Sequence, residues 1–516
     1  MMEGSFHKHI ATVSLLTAVS RIFGFIRDMV TAWLLGAGLV ADAFFVAFRI
    51  PNMLRRLLAE GATNVAFIPV FNETLEKEGF EKALVMARNV TTFLALVVGM
   101  VVVIGEFASP LIVMITAPGF LHTEAFDIAL HLTRIMFPFI LLVSILALLG
   151  GILNSLGHFA APAAAPIILN ICMIAVPVIF YKFIPFFSSP ADALAWGVII
   201  GGIFQIVTQI KPLKKLKIHL RPYLDLKDPR ILQVAKLMGI TAIAASIYQV
   251  NVLIGTLLAS FLPRGSISFL YYANRLTELP LGIFAFAVGN VMLPAMSKAS
   301  SKTDFTEMSN LMGKSINTIL LFTIPASIGM YVTAEPLMSI LFVRGSFSFA
   351  DAAATADALK MYSISIWAIG ASRIFTQGFY AMQQANIAVR TSWISLILNV
   401  IFCLILMPFM KHSGIALASS IAVIMQLIIL YYLLAKRGVY IPKMYYISCL
   451  KMTISGFVMA LCIYPLLKMH FWTQGLTVYS ISMLTACIVI GAVSYFGVLW
   501  VTGDKDNINF KFTRMS

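Results

Sequence analysis

The chain carries very little charge for its length. Asp, Glu, Lys and Arg make up only 11% of 516 residues, whereas hydrophobic residues make up 60%. A soluble protein is closer to one quarter charged. The apolar runs are long and continuous and do not alternate with polar residues, which argues against a transmembrane β-barrel. With a mean hydropathy of +0.92, the composition predicts an all-α polytopic membrane protein.

Cysteine is scarce, and motifs for catalysis are missing. The five cysteines are odd in number, form no CxxC pair and lie in or beside apolar runs, which predicts free thiols and no metal site. The histidines are scattered, and no Walker loop for ATP is present. We therefore expect no enzyme and no direct use of ATP. If the chain transports a substrate, an ion gradient, the membrane potential or substrate flux would drive it, and no cofactor is expected apart from a coupling ion.

The apolar segments predict fourteen transmembrane helices, an even number that places both termini on one side of the membrane. The predicted spans are residues 10–37, 42–71, 89–116, 127–153, 160–183, 191–210, 232–262, 267–296, 315–343, 355–381, 391–410, 414–435, 446–468 and 478–502.

Basic residues are concentrated in one set of loops, which the positive-inside rule assigns to the cytoplasm together with both termini. This asymmetry accounts for the net charge of +15 without a nucleic-acid partner. The most basic segment is residues 211–230, KPLKKLKIHLRPYLDLKDPR. Two interpretations stay open for it: a short helix on anionic headgroups, or a plain cytoplasmic anchor and connector.

The two halves of the chain share a weak internal repeat. AFFVAFR (43–49) aligns with FLYYANR (269–275) at an offset of 226, and ASPLI (108–112) aligns with AEPLM (334–338) at the same offset. IILN (167–170) aligns with LILN (396–399) at 229. The offset spans six helices, an even number, so the repeats are parallel. We predict an N-lobe at 1–210, a basic linker at 211–230, a C-lobe at 231–437, and spans 13 and 14 with the tail at 438–516.

Several charged residues lie inside apolar segments. An arginine at a helix centre costs about 2.5–3.5 kcal/mol on the insertion scale. We therefore expect these residues to face a polar cavity, to pair with acids or to reach the membrane surface. They are Arg21, Arg27 and Asp28 in span 1, Asp42, Arg49, Arg55, Arg56 and Glu60 in span 2, and Arg275 and Glu278 in span 8.

Helical geometry sorts the span-2 arginines. Arg49, Arg56 and Glu60 share a narrow stripe that suits internal pairing, and Arg55 points away from it. Arg21 and Arg27 are separated by about 120° around an ideal helix. Kinks at Gly24, Pro51 and Pro280 would be needed to aim several arginines at one point.

Arginine remains charged and binds phosphate oxygens through two parallel hydrogen bonds. An excess of arginine over acid inside the membrane thus favours a large anionic substrate with a phosphate or pyrophosphate group. The alternative role is structural: salt bridges between helices, made with Asp28, Asp42, Glu60 and Glu278. At spacing i,i+3, Arg275 and Glu278 are expected to pair when the site is empty.

The motifs SRIFGFIRD, ADAFFVAFRIPNMLRRLLAEGATNVAFIPVF, YYANRLTELPLG and LPAMSK strongly resemble the MurJ (MviN) family over essentially the whole chain. The resemblance implies a fourteen-helix member of the multidrug/oligosaccharidyl-lipid/polysaccharide exporter superfamily. It further implies alternating-access flipping of lipid II, the undecaprenyl-pyrophosphate-linked precursor, to the outer leaflet for peptidoglycan synthesis and cell shape. The last two helices would form an apolar groove for the polyprenyl tail.

The resemblance also implies roles for individual residues. Ser20, Arg21, Arg27, Arg55 and Arg275 match the substrate-binding positions of the family, whereas Asp42 and Glu278 match acids assigned to gating or charge pairing. Glu60 is added to the charge-pairing set by its i,i+4 spacing to Arg56. Asn274 stands where the family often has Asp, so a gating scheme that needs a salt bridge there is in doubt. Lipid II and membrane lipids are the expected partners of a monomer in the bacterial inner membrane, with cell-wall synthesis proteins as further candidates.

Three alternatives were weighed. A drug or polysaccharide-lipid exporter of the same superfamily would share the fold, but drug exporters typically handle cations, which an arginine-rich cavity disfavours. A membrane scaffold for cell-wall enzymes would leave the intramembrane arginines unexplained. A membrane glycosyltransferase would need a carboxylate or metal cluster, and the sequence offers none.

Overall fold

The computed structural model describes residues 2–55, 63–219, 221–282, 286–300 and 305–503. Within those ranges the chain is helical and forms no named β-strand, which confirms the predicted all-α class. It divides into two compact units, residues 1–267 and residues 268–516.

The first unit consists of nine α-helices within its described residues. They are α1 (Met2–Leu35), α2 (Leu39–Arg55), α3 (Thr63–Glu78), α4 (Phe80–Thr116), α5 (Glu124–Met136), α6 (Phe139–Ser155), α7 (Ala160–Pro177), α8 (Pro190–Lys215) and α9 (Pro229–Ala259). Helix α7 packs on both α1 and α8, and α9 packs on α3 and α4. Helix α1 runs without a break through Gly24, and α2 runs without a break through Pro51.

The second unit is built from helices that begin with α10, whose first two residues precede the unit boundary. They are α10 (Ser266–Pro280), α11 (Phe286–Ser300), α12 (Thr306–Val332), α13 (Ala334–Phe342), α14 (Phe349–Ser363), α15 (Ile366–Ala381), α16 (Ala385–Ala435), α17 (Lys443–Leu467) and α18 (Val478–Val501). Helix α16 comprises two helices joined at Lys411, where φ is 51° and ψ is −131°. This junction separates the predicted spans 11 and 12.

Several predicted spans consist of two shorter helices. The 127–153 span is divided into α5 and α6 beside Pro138, and the 355–381 span is divided into α14 and α15. These breaks recur at the repeat offset, since α14 begins 225 residues after α5 and α15 begins 227 residues after α6. The helix boundaries therefore support the two parallel repeats that the short sequence matches indicate.

Eight helices in the described part of the chain are long and apolar enough to cross a membrane by length and composition. The 51-residue helix α16 counts once among them although it contains two spans. The fold is that of a multi-pass membrane protein, and the number fourteen stays a prediction. The predicted lobe boundaries also stay a prediction, although α9, the predicted first span of the C-lobe, belongs to the first compact unit.

The basic linker does not form the short interfacial helix that was one of its two interpretations. Helix α8 extends to Lys215, and no helix is present from Ile218 to Asp228 in the described residues. The linker is instead fastened to α4, where the Asn89 side chain donates to the Asp225 carbonyl at 3.0 Å and accepts from the Asp225 N–H at 2.8 Å. Arg88 adds a 2.7 Å bond to the carbonyl of His219. The backbone thus finds partners without a helix, because α4 supplies them.

Candidate functional site

A buried polar cluster joins α1 to α7 in the first unit. Arg27 approaches Asp28 Oδ1 with Nη2 at 2.7 Å and Nε at 3.1 Å, and Nη1 donates to Asn170 Oδ1 at 3.0 Å. The three residues are 8%, 3% and 6% exposed. A buried charge is tolerated only when it is paired and hydrogen-bonded, and Asp28 and Asn170 meet both needs.

Asn170 also fixes the position of α1 along α7. Its Nδ2 donates to the backbone carbonyl of Ser20 at 3.2 Å, so one amide contacts α1 on both sides of Gly24. A Cβ at Gly24 would lie 3.5 Å from that Nδ2, in ordinary contact distance. The cluster therefore holds Arg27 in one place by means of two helices.

Arg21 lies on a different face of α1 from Arg27. Its side chain is exposed, and none of the described residues makes a hydrogen bond or ion pair with it. The difference agrees with the angle of about 120° expected for an unbroken helix. One arginine of span 1 is thus held by an acid while the other is available to a ligand.

Arg55 ends α2, and its Nε and Nη2 each lie 3.2 Å from Asn52 Oδ1. It is half-buried. Arg49 is also half-buried on this helix. The predicted Arg56–Glu60 pair, and with it the Glu60 role, lies outside the described residues.

Asp42 is 3% exposed in the first turn of α2. Its Oδ2 accepts a 2.6 Å hydrogen bond from the backbone N–H of Gly265, at the end of the first unit. A carboxylate is favoured at a helix N-terminus by the helix dipole, and a bond from a backbone N–H adds to that stabilisation. Asp42 thus anchors the segment that follows α9.

A second arginine cluster lies on α10 in the second unit. Arg275 Nη1 lies 2.9 Å from Glu278 Oε2, and Nη2 lies 3.0 Å from the Tyr271 hydroxyl, whose ring centroid is 5.0 Å from the guanidinium carbon. The predicted i,i+3 pair is therefore present. Asn274 takes part as a donor, since its Nδ2 lies 3.3 Å from Glu278 Oε1. It contacts the acid that holds the arginine.

Three polar residues of these clusters escaped the sequence analysis: Asn52, Asn170 and Tyr271. A signal existed for Asn170, because it ends the IILN segment that aligns with LILN and so corresponds to Asn399. Asn399 is 3% exposed in the second unit, and its Oδ1 accepts from the Ser419 hydroxyl at 3.2 Å. The two repeats thus share a buried asparagine at this position, although Asn170 bonds residues of α1 and Asn399 bonds a residue of its own helix α16.

Both arginine clusters have the same chemical design. A carboxylate of the same helix holds the guanidinium, and neutral oxygen atoms take further N–H groups. Such an arginine is pre-oriented for an oxyanion, and a phosphate group could replace the carboxylate and accept two parallel hydrogen bonds from the guanidinium. No group of His, Cys, Asp or Glu side chains in the described part of the chain could hold a metal ion.

Comparison with known proteins identifies the family. The family model "Lipid II flippase MurJ" matches residues 31–486. The lipid II flippase MurJ of Burkholderia cenocepacia is 34% identical over 505 residues, covering 96% of this chain and 97% of that protein. The probable lipid II flippase MurJ of Vibrio cholerae is 33% identical over 507 residues, covering 95% of both.

Solved structures agree with this assignment. A lipid II flippase MurJ in an inward closed conformation superposes with a TM-score of 0.79 at 26% identity, covering 96% of this chain and 99% of that one. An inward-facing multidrug MATE transporter of the MOP superfamily gives 0.66 at 13% identity, covering 83% and 98%, which shows a shared fold alone. A match over most of the sequence and a match over most of the fold lead to one conclusion: the chain belongs to the lipid II flippase MurJ family of membrane transporters.

Proposed function

We propose that this protein moves lipid II from the inner to the outer leaflet of the bacterial cytoplasmic membrane. The matching family and its relatives are named lipid II flippases. The observation that carries the proposal is the Arg27 cluster, a guanidinium only 8% exposed that is held by Asp28 and Asn170 inside a predicted membrane span. A pyrophosphate is the group for which such an arginine is suited.

Ser20, Arg21, Arg27, Arg55 and Arg275 form the substrate-binding set in this proposal. Arg21 supplies a charge without a competing acid, so it would meet the pyrophosphate first. Arg27 and Arg275 would then exchange part of their contact with Asp28 and Glu278 for phosphate oxygens. The acids return to the arginines when the substrate leaves, which avoids an unpaired charge in the empty site.

The polyprenyl tail stays in hydrocarbon throughout this cycle. Moving it into water would cost about 0.8 kcal/mol for each CH₂ group, so the polar head alone passes through the protein. Alternating access then requires weaker binding in the outward state, because equal affinity for the two states shifts no population. Asp42, Glu60, Asn274 and Glu278 are the proposed gating or charge-pairing residues.

The positive-inside pattern supports the orientation that we propose, with both termini in the cytoplasm. Membrane lipids surround the protein, and a monomer contains both repeats and thus both arginine clusters. A polysaccharide-lipid or drug exporter would share the MOP fold. A cationic drug would gain nothing from the exposed charge of Arg21, which favours the anionic substrate.

Binding measurements on the purified protein test this assignment. Lipid II should bind the wild type, and undecaprenol, which lacks the pyrophosphate and the sugar-peptide head, should bind much more weakly. Arg21→Ala and Arg275→Ala should each lower lipid II affinity by about tenfold or more, since a charge-assisted hydrogen bond contributes about 1.5–3 kcal/mol. Arg27→Ala should have the same effect, and unchanged affinity in all three variants would exclude these arginines from the pyrophosphate site.

A further inference from the structure

A cavity of about 240 Å³ lies within the second unit, between the α12–α13 junction, α14 and the end of α17. Two lysines and one glutamate line it, Lys360, Lys468 and Glu335, so its lining has one more positive than negative charge. His470, Trp472 and Tyr464 complete its polar and aromatic wall. This cavity contains none of the arginines discussed above.

The two lysines differ in how their charge is balanced. Lys360 Nζ lies 3.2 Å from Glu335 Oε1 and 3.3 Å from Asp357 Oδ1, so two acids balance it. Lys468 Nζ lies 5.0 Å from the ring centroid of Tyr464, and no carboxylate among the described residues lies within 4 Å of it. A cation–π contact leaves the ammonium donors able to bind an anion.

The segment that follows Lys468 and forms one wall of the cavity is anchored in the apolar core of the second unit. Phe471 is 2% exposed and packs with Ile463, Leu467 and Leu484, and its backbone carbonyl accepts a 2.7 Å bond from the Ser480 hydroxyl. This anchor positions the flanking rings of His470 and Trp472, whose centroids are 5.2 Å apart. The aromatic side of the cavity is therefore formed before any ligand binds.

The volume and surroundings of the cavity favour one ligand class. About 240 Å³ is smaller than a typical drug pocket and suits a phosphodiester with a few attached carbons. Exposed apolar side chains lie next to it on α17, with Leu461 71% exposed and Tyr464 52% exposed. Lysine paired with Tyr and Trp is typical of the boundary between headgroups and hydrocarbon. A free phosphate would make no use of this apolar face.

We propose that this cavity binds the phosphodiester headgroup of a membrane phospholipid. Lys468 is the principal cation, Lys360 supplies its remaining N–H donor, and the acyl chains lie along α17. Glu335 and Asp357 neutralise Lys360, so the positive charge available to an anion is that of Lys468. The cavity contains none of the arginines proposed to bind lipid II.

Native mass spectrometry of the detergent-purified protein, titrated with phosphatidylglycerol, tests the proposal. Lys468→Gln should weaken retention of one lipid by about tenfold, and Lys468→Arg should retain it. The matched control is Lys182→Gln, which removes a lysine 5.8 Å from the ring centroid of Trp33 in the first unit. This control should bind lipid as the wild type does.

Two results would overturn the assignment. One is equal lipid retention by Lys468→Gln and the wild type at unchanged thermal stability. The other comes from a parallel titration with inorganic phosphate: if millimolar phosphate occupies the site and phosphatidylglycerol adds nothing, the ligand is not a lipid. The proposal is supported if phosphatidylglycerol binds in the presence of phosphate and if Lys468→Gln, unlike Lys182→Gln, loses this binding.

Discussion

Asn170 Oδ1 on α7 accepts a 3.0 Å hydrogen bond from Arg27 Nη1 on α1, and both residues are less than 10% exposed. The bond lies between two predicted spans and is shielded by the low exposure of both side chains. The amide also donates to the Ser20 carbonyl. Asn170 therefore holds α1 at two points, Ser20 and Arg27.

Asn170→Ala should therefore lower the free energy of unfolding by about 1–3 kcal/mol, the cost of leaving a buried polar group without its partner. Thermal unfolding in detergent measures the loss. Arg27→Met and the double variant complete a double-mutant cycle, in which we expect a coupling of about 1 kcal/mol or more. Additive effects would show that the two side chains act independently.

Removing the acid beside Arg275 should strengthen anion binding. Glu278→Gln keeps an oxygen near Nη1 and removes the charge that holds the guanidinium at 2.9 Å. We expect a several-fold gain in lipid II affinity, because the substrate no longer competes with a carboxylate. Glu73→Gln, which breaks an exposed ion pair with Lys77 of 2.7 Å, is the control and should bind as the wild type does. A loss of affinity in Glu278→Gln would contradict the competition model.

Asn274→Asp tests the residue at which this chain departs from its family. The new carboxylate would lie one helical turn from Glu278, and like charges at i,i+4 destabilise a helix by about 0.2–0.5 kcal/mol. It would also remove the 3.3 Å hydrogen bond that Asn274 Nδ2 donates to Glu278, because a carboxylate has no N–H to donate. We expect a slightly lower melting temperature with transport retained. A higher melting temperature would mean that Arg275, and not Glu278, dominates the surroundings of this position.

The linker should respond to acid through Asp228. Burial alone would raise the pKa of this carboxyl, but hydrogen bonds from the side chain and backbone of Arg230, together with its charge, hold the pKa below the ordinary value. A depressed folded-state pKa stabilises the protein above the unfolded-state value of about 3.9, and this stabilisation is lost as the pH falls through the folded-state pKa. An ion pair at the protein edge contributes about 1 kcal/mol or less.

Asp228 also caps α9 by accepting from the Arg230 N–H at 3.0 Å. Asp228→Ser keeps a capping oxygen and should lose only the pH-dependent part of the stability. Asp228→Ala should lose about 1 kcal/mol more at neutral pH. Melting temperatures measured between pH 3 and pH 7 separate the two contributions, and identical curves for Ser and Ala would exclude the capping role.

Composition was sufficient to predict the all-α class, and short sequence matches were sufficient to predict the repeat. The spacing of Arg275 and Glu278 was enough to predict their pair, because i,i+3 neighbours meet on any helix. Asn170 was not found, since its contact with Arg27 spans 143 residues and depends on how α1 packs against α7. The break between α14 and α15 was not predicted either, because a continuous apolar run has the same sequence pattern whether it forms one helix or two.

The linker shows the same limit. Its Lys and Leu pattern suited a helix on the membrane surface, yet Asn89 of α4 bonds both the N–H and the carbonyl of Asp225. Local pattern cannot anticipate a distant side chain that satisfies the backbone in another conformation.

The most direct measurement is the exposure of lipid II on the outer face of cells depleted of their own flippase and complemented with this protein. We predict that the wild type restores exposure and that Arg21→Ala and Arg275→Ala, expressed at equal level in the membrane, do not. Normal exposure in both variants would contradict the account that the arginines of the two units bind the pyrophosphate.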